Sequence, residues 1–232
     1  MHQISDKVFA EDFLFEVEIA TPLLPSPYEV YPYLLIENFL DESTCQSIID
    51  EARANNDVTE AALRSNQSGL NTKIRNTKIH KFSAIHHNIY NDALNNIRPT
   101  IEQFFSLSLT QSTQPQLLEY TQGSFYKAHS DDSSVLMRDG KIIGFKQVAP
   151  QRKLTTLLFL SEYFQEVETP YQFNGGALVF NYFKDADGKT LELKGKMGTL
   201  IVFGSNPIYT HEVKEVIEGY RLTVAQWHDA LL

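Results

Sequence analysis

From residue 115 onward the chain repeats one pattern, a short stretch of strand character followed by a turn signal. The strand-like stretches are 116–120, 155–160, 177–180, 191–193, 199–203 and 221–227. Asp139-Gly140 and Asp187-Gly188 are hairpin signals, because tight two-residue turns need residues that tolerate positive φ. Many short strands between tight turns, following helices, predict an α+β, mainly β chain. The expected fold is a double-stranded β-helix, or jelly roll, buttressed by N-terminal helices.

The first half has a different period. Pro22, Pro25 and Pro27 predict an extended arm over 1–27, before a single domain over 28–232. Residues 33–36 read as a strand. Asp41 then caps a helix in which Cys45, Ile48, Ile49 and Ala52 fall at i, i+3, i+4 and i+7, one buried stripe. The polar stretch 56–75 reads as a loop. A second helical face carries Leu94, Ile97, Ile101, Phe104 and Phe105, and Pro99 predicts either a kink or two helices meeting there. Helical support is therefore expected over 41–105 and a catalytic β core over 115–232.

Bulk composition narrows the partners. Lys and Arg number 20 against 29 Asp and Glu, a formal charge of −9, which disfavours a nucleic-acid partner. The single Cys45 excludes a disulfide framework and a cysteine-rich zinc site. No basic segment followed by an apolar core opens the chain, and no apolar run is long enough to span a bilayer. The expectation is a cytoplasmic protein that engages neither nucleic acid nor membrane.

The residues that carry chemistry lie in the β half. On extended backbone, residues i and i+2 point the same way, so His129-Ser130-Asp131 presents an imidazole beside a carboxylate. Taken alone, that step is as often a surface histidine near a solvated aspartate. A non-haem iron centre needs a second imidazole on the same face, with positions left open. His211, after the strand-like 199–203 and the turn Gly204-Ser205-Asn206-Pro207, is the candidate. His2 lies near the terminus; His80, His86 and His87 sit in the helical half, where surface or satisfied core roles prevail; His228 falls one residue past the expected end of a strand. Alternation in 221–227 puts Arg221, Thr223, Ala225 and Trp227 on one face. An arginine sharing a face with Ala and Trp calls for an anionic partner, and guanidinium suits a carboxylate through two parallel hydrogen bonds. The alternative is an arginine at a strand end reaching for water.

Taken in order, these segments resemble a known family. Tyr120-Thr-Gln-Gly123-Ser-Phe-Tyr126-Lys-Ala-His129-Ser-Asp131 resembles the Y-x-x-G-x-x-Y-x-x-H-x-D signature of the prolyl 4-hydroxylase-like branch of the iron(II)/2-oxoglutarate-dependent oxygenases. The stretch from Arg152 to Ser161 is similar to that family's next core strand. Gly175-Gly176-Ala-Leu178-Val-Phe180 resembles its G-G-x-x-x-F turn, and Gly198-Thr-Leu200-Ile-Val-Phe203 the strand before its second histidine. His211-Glu-Val213 with Gly219-Tyr-Arg221 and Trp227 resembles its closing hairpin. The resemblance runs from Tyr120 to Trp227 and extends more faintly to 33–52. It implies iron held by His129, Asp131 and His211, and 2-oxoglutarate held by Arg221 with Tyr120 and Thr223 beside it. It implies O2 as oxidant, and ascorbate as an auxiliary reductant in some members. The activity implied is hydroxylation of a C–H bond, a prolyl residue of a protein among the candidates, coupled to conversion of 2-oxoglutarate to succinate. The collagen-type members usually carry Lys where Arg221 stands, which leaves the subfamily open.

Three other readings remain. A hydroxylase of a free amino acid or another small molecule would use the same scaffold. A cupin-like metal-binding module without turnover needs no Arg221. A zinc hydrolase would need a base, and Glu212 is its one candidate. One segment stands outside the motifs. Residues 132–153 follow Asp131 directly, and 135–145 reads as a hairpin with Asp139-Gly140 at its tip. It is either a flap over the prime substrate or a hairpin packed on the outer sheet.

Overall fold

The computed structural model describes residues 1–12, 31–54, 58–60 and 75–231, with the backbone alone for 58–60. Two antiparallel sheets face each other. The larger has eight strands in the order Leu34–Ile36, Leu200–Gly204, Leu154–Phe159, Arg221–Leu231, Gln116–Tyr120, Lys78–His80, Val58–Glu60, with Ser108–Ser112 also on Arg221–Leu231. The smaller runs His2–Gln3, Phe9–Ala10, Leu178–Lys184, His211–Val213, Tyr126–His129, with Thr190–Leu193 beside Leu178–Lys184. This is the jelly roll expected from turn spacing. The strands 116–120, 154–159, 178–184, 190–193 and 200–204 lie close to their expected positions.

Alternation explains why the central strands read as near-continuous apolar runs. Leu154, Leu158, Leu200, Val202, Leu222 and Val224 point away from the smaller sheet and pack against the helices. Leu157, Phe159, Ile201, Phe203 and Ala225 point inward, against Leu178, Phe180 and Val213 of the facing sheet. The large sheet is thus covered on both faces, which removes the polar alternation of a half-exposed strand.

The helices that cover it form as expected. In α1, Glu42–Ala54, Asp41 accepts the Thr44 backbone N–H at 2.7 Å, and the buried residues are Cys45, Ile48, Ile49 and Ala52. In α2, Ala84–Phe105, Ser83 is the N-cap and Leu94, Ile101, Phe104 and Phe105 are buried. Pro99 does not split α2 into two helices: it is exposed, where the carbonyl deprived of its N–H partner can bond water. No helix among the described residues is long and apolar enough to cross a membrane.

Several elements differ from the sequence reading. Within the arm expected over 1–27, residues 1–12 are described: His2–Gln3 and Phe9–Ala10 form a hairpin that adds to the edge of the smaller sheet through Phe183 and Lys184. Residues 13–30 lie outside the described residues. The polar stretch 56–75, expected as a loop, contains the strand Val58–Glu60, while 61–74 lies outside the described residues. The flap candidate is a hairpin, Ser133–Arg138 with Lys141–Gln147, turning at Asp139 (φ 51°) and Gly140 (φ 74°). It pairs only with itself and packs through buried Phe145, while Leu136, Met137 and Ile143 are exposed. Asp132 secures its base: its carbonyl accepts the Val148 and Ala149 N–H groups, and its carboxylate accepts from Ser133 and Gln147.

His228 does not lie past the last strand. That strand runs Arg221–Leu231, and His228 is buried within it. Its Nδ1 meets Ser112 Oγ at 2.8 Å and its Nε2 meets Thr156 Oγ1 at 2.9 Å. Burial, with a smaller contribution from the Arg98 charge, pushes its pKa down from 6.5 to about 4. A histidine with a depressed pKa holds its stability above 6.5, where folded and unfolded forms are both neutral. Between 6.5 and about 4 only the unfolded chain takes the proton, so stability falls with pH. The loss across that window is about 3 kcal/mol. Urea unfolding at pH 7 and pH 4.5 should show a smaller acid loss for His228→Gln than for the unaltered chain. Equal losses would remove His228 from the acid response.

Candidate active site

The register of two short strands assembles the site. His129 ends the strand Tyr126–His129 and His211 opens His211–Val213, and the two are paired directly across the ladder. Their rings lie 4.4 Å apart between centroids. Asp131, two residues beyond His129, places Oδ1 3.8 Å from His129 Nε2 and Oδ2 3.9 Å from His211 Nε2. One donor atom from each residue falls within a 4.8 Å cluster. No other such group of three His, Cys, Asp or Glu residues occurs among the described residues.

The surroundings prepare these groups as ligands. His129 Nδ1–H donates to Lys127 O, and His211 Nδ1–H to Tyr209 O, each at 2.9 Å. Those bonds select the tautomer that leaves each Nε2 lone pair free. Burial and the neighbouring His211 lower the His129 pKa to about 3, against the opposing pull of Asp131, so its imidazole is neutral. Burial pushes the Asp131 pKa up, but the electrostatic coupling to His211 and His129 and a hydrogen bond from Thr155 outweigh it, and the carboxyl is held below its ordinary range. Thr155 Oγ1 donates to Asp131 Oδ2 at 2.6 Å. Tyr126 stacks on His129, centroid to centroid 3.6 Å at 16°. Two imidazoles with free Nε2 lone pairs and one carboxylate match the donor set of a ferrous ion with open positions.

Arg221 is the second part of the site. It begins the last strand opposite Tyr120 and is 0% exposed. Its Nε, Nη1 and Nη2 have no hydrogen-bond partner among the described residues. Around the guanidinium stand the rings of Tyr120 at 4.7 Å, Phe159 at 5.4 Å and Phe173 at 5.8 Å. Burial lowers its pKa to about 10, with Tyr120 opposing, so the group keeps its charge at neutral pH. An enclosed cation with three unused nitrogens is costly unless an anion fills its hydrogen bonds. A dicarboxylate such as 2-oxoglutarate fits that requirement. Thr223 Oγ1, two residues on, is also buried without a hydrogen-bond partner among the described residues.

One cavity of about 390 Å³ joins the two parts, and His129, Asp131, His211, Tyr120 and Arg221 all line it. The remaining histidines lie elsewhere. His80 meets Glu119 at 2.6 Å, His86 meets Glu51 at 2.6 Å, and His87 meets Asn91. The family model of the 2OG-Fe(II) oxygenase superfamily matches residues 115–229, the segment that contains the whole constellation.

The chain belongs to the 2OG-Fe(II) oxygenase superfamily.

As an iron(II)/2-oxoglutarate-dependent dioxygenase, it uses ferrous iron, 2-oxoglutarate and O2. No curated protein matches the chain with significance. Among solved structures, a prolyl 4-hydroxylase of Pseudomonas putida is 22% identical, with a TM-score of 0.58 over 85% of this chain and 91% of that one. A Trichoplax adhaerens prolyl hydroxylase, solved with a hypoxia-inducible-factor peptide, is 19% identical, with a TM-score of 0.63 over 85% and 83%. A viral collagen prolyl hydroxylase of Paramecium Bursaria Chlorella virus-1, solved with 2-oxoglutarate, is 20% identical, with a TM-score of 0.56 over 86% and 96%. These likenesses establish the shared fold.

The structure brings together the residues singled out in the sequence, with two refinements. Thr223 shares Arg221's strand face but is not among the residues lining the cavity. Arg152 lines the cavity, over Trp227, and no residue of Ser133–Gln147 is among the lining residues. Sequence reasoning missed Thr155 and Arg75. Thr155 sits in an apolar strand with no local mark of function, and Arg75 lies in the polar stretch. Gly176 in the Gly-Gly turn makes room for the oxygenase's arginine: at φ 58°, an added Cβ would lie 2.8 Å from Arg221 Cδ. Gly123 has φ 78° but open space around its missing Cβ. Gly123→Ala therefore meets backbone strain alone, about 1–2 kcal/mol, whereas Gly176→Ala adds the collision. Urea unfolding should rank Gly176→Ala as clearly the more destabilised. Equal losses would show that the packing around Arg221 yields.

Proposed function

We propose that His129, Asp131 and His211 hold the ferrous ion, that Arg221 holds the distal carboxylate of 2-oxoglutarate, and that the reaction hydroxylates a prolyl residue of a peptide or protein. The observation that carries the reading is Arg221, a buried charge with no hydrogen-bond partner among the described residues, lining the same cavity as the His-Asp-His cluster. A metal-binding module without turnover has no use for such a group. The prolyl target rests on likeness to three prolyl hydroxylases that share the fold.

When bound, iron and 2-oxoglutarate supply the oxidising chemistry, one oxygen atom going to succinate and one to the substrate. The chain's own residues position and enclose. The Nδ1–H bonds to Lys127 and Tyr209 fix both imidazole planes, and Thr155 fixes the Asp131 carboxylate. Arg221, with Tyr120 beside it, orients the co-substrate through its far end. Leu118, Leu157, Leu178, Phe203, Val213 and Ala225 wall the cavity with hydrocarbon and keep water from the centre. No side chain has to act as a nucleophile or general base.

Three outcomes follow. His211→Ala should lose ferrous binding and turnover together, as measured by anaerobic iron titration. Iron held as tightly as before would break the ligand assignment. Arg221→Ala should keep iron and weaken 2-oxoglutarate about ten- to a hundred-fold, since hydrogen bonds to charged groups contribute about 1.5–3 kcal/mol. Calorimetry with 2-oxoglutarate checks this, and an unchanged affinity would transfer the role to another basic residue. For the target, mass spectrometry of proline-containing peptides should show the gain of one oxygen on proline. Oxygen gained only by free amino acids would replace the peptide reading with the small-molecule one.

A further inference from the structure

Arg221 ends in three nitrogens without a hydrogen-bond partner among the described residues. Where its guanidinium points therefore depends on the rings around it and on the backbone that carries it. That backbone is reached through Gly219, which has φ 84° and packs so closely that an added Cβ would lie 2.3 Å from Gln172 O. Tyr220 stands between this turn and Arg221. Its N–H donates to Gln172 O at 3.0 Å, and its side chain faces away from the cavity, into the core beneath the helices.

Behind the sheet, Tyr220 meets a buried carboxylate. Glu119, 7% exposed, accepts from the Tyr220 hydroxyl at 3.0 Å and from His80 Nε2–H at 2.6 Å, and Lys78 Nζ lies 3.2 Å from its other oxygen. Arg53 of α1 covers the Tyr220 ring at 5.1 Å and donates to Pro170 O at 2.9 Å. Glu119 immediately precedes Tyr120, which is paired with Arg221 across the ladder and lies 4.7 Å from its guanidinium. One carboxylate thus holds, from the far side of the sheet, both residues at the Arg221 end of the cavity. Burial pushes the Glu119 pKa up, but hydrogen bonds from His80, Tyr220 and Lys78, with electrostatic coupling to His80, outweigh it and bring the value down to about 2.

We propose that Glu119, Tyr220 and His80 are positioning residues for the co-substrate: they fix the backbone at Tyr120 and Arg221 from behind and so aim the guanidinium at the far carboxylate of 2-oxoglutarate. The inference rests on the reading of Arg221 as the group that binds that carboxylate. Apolar packing would hold the same three strands together without a preferred direction. A buried carboxylate is directional, because its donors must converge on two oxygens to offset its desolvation. Direction matters here, since a binding group displaced by a fraction of an ångström loses much of its hydrogen bonding.

The test compares Tyr220→Phe, Glu119→Gln and Tyr90→Phe with the unaltered chain. Tyr90 is the control, because its phenol is buried on the same helix-covered side but bonds Thr156 Oγ1, at 3.3 Å. Ferrous affinity is measured by anaerobic titration, and 2-oxoglutarate affinity by calorimetry on the iron(II) protein under argon. Tyr220→Phe and Glu119→Gln should each weaken 2-oxoglutarate by about three- to tenfold. Iron affinity should stay unchanged, since the histidines proposed to bind iron stand on the smaller sheet. Succinate release in air should show KM for 2-oxoglutarate raised by the same factor with kcat little altered. Tyr90→Phe should keep the co-substrate affinity of the unaltered chain. Calorimetry separates the number of sites from their affinity, so a partly unfolded sample changes the first and leaves the second. The two variants remove opposite ends of one bond, so either decides the outcome if the other does not fold. Unchanged 2-oxoglutarate affinity in either overturns the inference, as does an equal loss in Tyr90→Phe or a parallel loss of iron. An unaltered chain that binds iron but no 2-oxoglutarate is the separate failure of the Arg221 assignment, and it takes this inference with it.

Discussion

The pairing of His129 with His211 across one antiparallel ladder is the constraint on which the rest of the site depends. Side chains in a strand alternate, so slipping either strand by one residue would turn its imidazole to the opposite face of the sheet. The register is secured on both sides. Phe180 of Leu178–Lys184 pairs with His211, and its ring packs against Phe203 at 5.1 Å. Phe203 in turn lies 5.0 Å from the His211 ring, edge-on. The metal face is therefore built on packed aromatic core rather than on a loop, which limits how far the donor atoms can drift.

The larger sheet places the other charge. Arg221 opposite Tyr120 and Trp227 opposite Thr155 are register pairs on either side of the same central strand system. One strand, Arg221–Leu231, thus carries two residues of the cavity lining, the buried guanidinium at one end and the Trp227 indole nearer the other. The price of enclosing Arg221 among Tyr120, Phe159 and Phe173 is recovered only when an anion enters. On the proposed reading, that anion is the co-substrate's carboxylate.

The helices act at a distance. By covering the outer face of the large sheet, α1 and α2 let every central strand be apolar on both sides, so the sheet is rigid where the site needs precision. The protruding hairpin behind Asp131 is the contrasting element. It is secured at its base by Asp132 and Phe145, and it stands clear of the cavity lining. Its apolar residues explain why the segment reads as a flap in sequence, although the cavity is lined by other segments, Arg75, Arg152 and Trp227 among them.

The sequence alone determined whatever depends on spacing within a few residues. Turn signals and strand length set the jelly roll, the i, i+3, i+4, i+7 stripe set α1, and His-x-Asp set two donors on one side. A charged residue in an apolar strand marked Arg221. The tertiary structure alone decided whatever depends on which distant segments lie together. Thr155 reaches Asp131 across 24 positions, and Thr156 meets His228 across 72. Arg75 reaches Tyr126 by a single bridge between segments with no common pattern. Spacing governs the direction of a side chain relative to its own backbone, and that is a local property of φ and ψ. Burial, hydrogen-bond partners and the set of residues that line a pocket depend on strand register and packing, which local propensity does not encode.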